Sequence, residues 1–180
     1  MSRNAWYGRP VATDRQLLLL WSNLYHLNRA IRSALSRSLD GEGGCSLLEH
    51  DLMSWLEVSG ADRPRMQDLA DLLDITPGGV TRLVDRLVAR GWVIREQLPG
   101  NRVQTYASLT PAGAAALRRA RTAYLKTLRE TLPAGMPADD LADLTARTTE
   151  LLAELTRADQ GDIKHLPGVH RPAGARAHNN

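Results

Sequence analysis

The chain has 180 residues, 43% of them hydrophobic and 24% charged, the proportions of a folded globular domain and not of a disordered chain. Its size suits one core, and a single cysteine, Cys45, excludes an internal disulfide. A formal charge of +3 excludes a polybasic tail but allows one local cationic surface.

Over residues 14–39, Leu17, Leu20, Trp21, Leu24, Ile31 and Leu35 recur three or four apart, which predicts a helix of about seven turns. Leu18 and Tyr25 widen its apolar side beyond what one core needs, so a second subunit is the natural cover. The longest apolar run, residues 17–21, is far short of the roughly 20 residues of a membrane span and of a signal-peptide core; a cytoplasmic location is expected. The glycine-rich run 40–44 ends this helix. Ser46 and Glu49 form a capping-box pattern that starts a second helix, with Leu48, Leu52, Trp55 and Leu56 inward and Gly60 at its end.

Residues 66–73 predict a short third helix with Met66, Leu69, Ala70 and Leu73 on one side. After the tight turn 74–76, a fourth helix spans residues 77–90, with Thr76 as N-cap, Pro77 at the tolerated first position and Gly91 as terminator. Two helices joined so closely cross steeply, as in a helix-turn-helix. Residues 92–98 and 103–109 are β-formers around the turn cluster 99–102, which reads as an exposed antiparallel wing. Thr110 and Pro111 cap a fifth helix to about residue 132 (Leu117, Tyr124, Leu125 and Leu128 inward). A sixth runs over about 138–157 with Leu141, Leu144, Leu151, Leu152 and Leu155 inward. Residues 158–180 lack apolar periodicity and are expected to be a disordered tail. The fold class is mainly α with a small β-wing.

On the fourth helix, Val80, Leu83, Val84, Leu87 and Val88 share an inward arc, while Gly78, Arg82, Asp85, Arg86 and Ala89 lie outward with Thr81 at the border. Such a low-bulk side lets the backbone approach a groove floor while Arg82 or Arg86 forks onto guanine or phosphate. Gly78 and Gly79 weaken the helix's first turn by roughly 1 kcal/mol each relative to Ala. Between residues 76 and 110, five Arg stand against Asp85 and Glu96, so the whole formal excess of +3 falls on this segment. That is the footprint expected of DNA contact; a solvated helix side with Arg82 paired to Asp85 is the alternative.

The stretch MQDLADLLDITPGGVTRLVDRLVARGWV, residues 66–93, resembles the helix-turn-helix of the MarR (multiple antibiotic resistance regulator) family. PGNRVQTYASLTPAG is similar to that family's wing and its LT-x-x-G entry into the next helix, and GCSLLEHDLMSWL to the helix before the motif. The resemblance implies a homodimeric transcriptional regulator, expected to be a repressor on a palindromic operator. It would be built as a winged helix-turn-helix (46–110) between dimerisation helices (14–45 and 111–157), and released by a small aromatic or anionic effector. The DNA-binding residues it implies, together with the outward side of the fourth helix, are Thr76, Gly78, Gly79, Thr81, Arg82, Arg86, Asn101 and Arg102. The wing departs from the family pattern of an Asp with neighbouring Arg residues: Asn101 and Val103 flank Arg102, which is left as the cation for the minor groove.

Trp21, Tyr25, Trp55 and Tyr124 are the candidates to line an effector cavity, although aromatics at helical spacing also serve as core. Thiol-based sensing through Cys45 is an alternative, weakened by the absence of a cation close in sequence. A winged helix that binds only protein is another. No catalytic motif, cofactor loop or histidine spacing for zinc is present, so neither an enzyme nor a metal protein is expected.

Overall fold

The computed structural model describes residues 11–60, 64–98, 101–132 and 136–158. Six helices and one hairpin follow in the predicted order: α1 Asp14–Ser38, α2 Leu47–Ser59, α3 Met66–Leu73, α4 Pro77–Ala89, β1 Val93–Leu98, β2 Asn101–Leu109, α5 Pro111–Thr131 and α6 Ala138–Ala158. The expected tail, with His165, His170 and His178, lies outside the described residues.

Local chemistry sets most of these boundaries. Ser46 Oγ accepts from Glu49 N–H at 3.2 Å while Glu49 Oε2 accepts from Ser46 N–H at 2.9 Å, the reciprocal cap of α2. Thr76 Oγ1 accepts from Gly79 N–H at 3.1 Å and Pro77 occupies the first turn of α4, offsetting the glycines there. Between α3 and α4, Asp74 takes a left-handed conformation (φ 51°) and the chain turns over Asp74, Ile75 and Thr76. One boundary differs from expectation. The glycine run after α1 does not end the helix at once but prolongs it as a π-helical turn, Leu39–Gly43, closed by left-handed Gly44. The wide turn carries Leu39 into the core, where it is fully buried.

The core lies between α2, α4, α5 and the hairpin, with Leu52, Met53, Leu69, Val80, Leu83, Val84, Leu87, Val93 and Leu117 all buried. α2 packs against α1, α3, α5 and β2, so it buries more of its circumference than one stripe. Leu47, Met53 and His50 are therefore inside, whereas Leu48 and Trp55, expected inward, are half-buried. β1 and β2 pair antiparallel from Val93↔Leu109 to Gln97↔Thr105, then shift register so that Leu98 faces Asn101. β2 thus begins two residues earlier than expected. Arg65 adds an isolated bridge to Tyr106, tying the start of α3 to the wing.

Several leucines expected inside are exposed. On α6, Leu141, Leu144, Leu151 and Leu155 are 44–49% exposed, and on α1 Leu17, Leu20, Trp21 and Leu24 are open as well. Val88 and Leu125 are also on the surface. Periodicity correctly marked apolar positions on these helices, but no element among the described residues covers them.

Candidate nucleic-acid interface

The helix-turn-helix and wing meet along the outer side of α4. Thr76, Gly78, Thr81, Arg82, Asp85 and Arg86 are exposed there, and Gly79 is half-buried beneath Thr76. A Cβ at Gly78 would touch nothing within 4 Å, so this turn is open to close approach from outside. Thr81 donates its hydroxyl back to the Pro77 carbonyl at 3.0 Å. The Arg82–Asp85 pair weighed from sequence does not form: Arg82 has no ion-pair partner among the described residues, and Asp85 holds Arg95 of β1 at 2.6 Å. Arg95 also donates to the Thr81 carbonyl at 3.0 Å, so the wing strand is pinned to the recognition helix at two points.

Arg86, proposed beside Arg82 from sequence, is already engaged. Its Nε lies 3.5 Å from Glu49 Oε1, and Arg90 Nη1 lies 3.3 Å from Glu49 Oε2. Arg90 donates further to the Gly44 carbonyl at 2.6 Å and rests 3.5 Å over the Trp92 ring. Neither contact was read from sequence, because the glutamate stands 37 and 41 positions before its partners. Asn101 and Arg102 open β2, but their side chains lie outside the described residues.

Behind this surface, Thr110 fastens the wing to α5. Its hydroxyl donates to the Gly91 carbonyl at 2.7 Å and accepts from Gly113 N–H at 3.0 Å, while its own N–H donates to Trp92 O at 3.0 Å. Gly113 is required here: a Cβ would stand 2.0 Å from the Trp92 carbonyl oxygen. The LT-x-x-G pattern is thus a packing joint.

A separate cavity of about 640 Å³ opens between α1, α2 and α5. Trp55 and Tyr124, two of the aromatics singled out from sequence, line it together with His50, Asp51, Arg32 and Arg121. Trp21 and Tyr25 do not; they stand on the exposed side of α1. His50 stacks on Tyr124 with ring centroids 4.4 Å apart, its Nδ1 is 3.4 Å from Asp51, and its buried Nε2 has no hydrogen-bond partner among the described residues. Burial, then the nearby Asp51, push the Tyr124 hydroxyl above its ordinary pKa. Arg121 pairs with Glu57 and Arg32 lies 3.9 Å from Asp51.

Cys45 does not support the thiol-sensor alternative. It is buried, and desolvation followed by the Glu49 charge pushes its thiol up to about 11, so it stays protonated and unreactive at neutral pH. No helix among the described residues is long and apolar enough to cross a membrane.

Comparison with known proteins places this geometry among relatives. Residues 44–102 match the MarR family model. The multiple antibiotic resistance protein MarR of Escherichia coli is 32% identical over 77 residues, 43% of this chain and 54% of that protein. The chain thus spans about half the length of these curated relatives. A MarR family transcriptional regulator from Silicibacter pomeroyi superimposes with a TM-score of 0.64 at 30% identity, covering 80% of this chain and 99% of that one. Another from Streptomyces coelicolor, solved in complex with DNA, gives 0.69 at 24% identity, covering 87% and 97%.

Proposed function

The chain belongs to the MarR family of transcriptional regulators, and we propose that it binds duplex DNA as a homodimer and represses transcription. The observation that carries this reading is Arg82, exposed on the low-bulk side of α4 beside the wing and without an ion-pair partner among the described residues. In this reading Thr76, Gly78, Gly79 and Thr81 bring the backbone close to the floor of the major groove and Arg82 forks onto guanine or phosphate. Asn101 and Arg102 reach the adjacent minor groove from the wing. The Streptomyces coelicolor relative in complex with DNA supports the same partner.

A second copy of the chain would cover the exposed leucines of α1 and α6, which are too extensive for a lone soluble domain. Two-fold symmetry then calls for a palindromic operator with half-sites about 10 to 10.5 bp apart. The cavity beside Trp55 and Tyr124 supports release by a small aromatic or anionic effector. The His50–Tyr124 stack offers a flat apolar wall, and His50 Nε2 offers an unused hydrogen-bonding position.

Selection of duplexes from a random-sequence pool tests the DNA reading. Enrichment of a palindrome, with affinity that falls steeply as salt rises, is expected; no enrichment, or affinity indifferent to salt, would overturn it. Sedimentation tests the dimer: a monomer at micromolar concentration would refute it.

A further inference from the structure

Glu49 is 6% exposed, yet its carboxylate reaches from α2 to two arginines of the recognition helix and its C-cap. Arg90 has other anchors in the Gly44 carbonyl and the Trp92 ring. Arg86 does not: Glu49 is its one ion-pair partner among the described residues, and its side chain is otherwise 56% exposed, one turn beyond Arg82 on the outer side of α4. With Arg95 held by Asp85, Arg82 is left as the free cation among the described side chains of α4 and β1.

We propose that Glu49 is a specificity-determining residue, which retains Arg86 on the protein and thereby withholds it from phosphate. The inference rests on the DNA-binding reading above. An exposed guanidinium on a flexible stem contacts any phosphate regardless of sequence, so each one that is free raises affinity for all DNA alike. A buried carboxylate is poorly solvated and competes well for the same fork. Retaining Arg86 lowers sequence-independent binding and leaves base reading to Arg82.

Glu49→Gln separates the two tasks of this side chain. Glutamine at the same position still accepts from Ser46 N–H, so the α2 cap persists while the charge is lost. Relative to the unaltered protein, affinity for poly(dI·dC) is expected to rise about three- to tenfold, with a logarithmic salt slope steeper by about 0.9. The preference for the selected duplex over poly(dI·dC) falls accordingly. In the double variant Glu49→Gln/Arg86→Gln the added poly(dI·dC) affinity is lost. Equal weakening on both DNAs, or no change on either, would overturn the proposal and leave the DNA reading standing. Failure of the unaltered protein to enrich any duplex would remove both. Should Glu49→Gln not fold, Arg86→Gln alone decides: it is expected to leave the salt slope nearly unaltered, and a flattening by about 0.9, that of one phosphate contact, refutes the inference.

Discussion

The Arg95 guanidinium on β1 stands 2.6 Å from the Asp85 carboxylate on α4 and donates to the Thr81 carbonyl one helical turn earlier. This joint ties the wing to the recognition helix at two points, and in the DNA-binding reading it holds the two in the relation that lets both engage neighbouring grooves. Both side chains are partly solvated, so Arg95→Ala is expected to lower stability by only about 0.5 to 1 kcal/mol. The loss in DNA affinity should be larger than that loss in stability. Urea unfolding and fluorescence anisotropy on the same samples check this; equal changes in both would mean that the joint serves folding alone.

Arg82→Ala is expected to weaken binding to the selected duplex by about 1 to 3 kcal/mol and to relax base preference at one position per half-site. Arg102→Ala is expected to weaken binding across sequences and flatten the salt slope by about 1. Gel-shift titrations at several salt concentrations separate the two. Unaltered affinity in both variants would refute these contacts.

Gly113→Ala places a methyl group 2.0 Å from the Trp92 carbonyl oxygen, a backbone atom that cannot swing aside. Either α5 or the start of β1 must shift, and overpacking of this kind costs about 1 to 3 kcal/mol or more. A lowered urea midpoint with an unaltered slope is the expected result. Gly78→Ala, where a Cβ meets nothing, should leave the midpoint equal or higher.

Cys45 makes a prediction in pH. Its folded-state thiol titrates near 11 against an ordinary value of 9.0. Below pH 9 the folded and unfolded chains both hold the proton and the group does not alter their balance. Between 9 and 11 the unfolded chain releases it while the folded chain does not, so stability falls as pH rises through that window. Cys45→Ala should lose less stability than the parent between pH 8.5 and 10.5, whatever its stability at neutral pH. At pH 7.5 the native thiol should react with a thiol reagent only after unfolding. Rapid labelling of the folded protein would contradict the burial.

Much of the fold was legible because its signals are short-range. The caps at Ser46, Thr76 and Thr110 each act over three residues, and all three helix starts are where those residues predict them. The wing's two strands and the outward position of Arg82 and Thr81 follow from equally local periodicity. The π-helical turn at Leu39 was not legible, since the glycines there announce a stop. Burial of Leu39 against the rest of the core is what draws the helix one turn further.

The partners of the charges were hidden for another reason. The position of Arg86 on the outer side of α4 follows from residue spacing, but its engagement with Glu49 requires the first turn of α2 to come within reach of the last turn of α4, and nothing in either helix records that approach. Likewise, of four aromatics on helices, the cavity gathers Trp55 and Tyr124 and leaves Trp21 and Tyr25 outside.

Backbone hydrogen bonding and side-chain period are properties of neighbours along the chain, so the amino-acid order alone determined six helices, one wing and a local cationic segment. Among the described residues, which arginine of α4 remains unpaired, which aromatics share a cavity and which leucines lack cover depend on distances between remote segments. Only packing in three dimensions sets those distances, and it left Arg82 without an ion-pair partner among the described residues while binding Arg86 to a buried carboxylate.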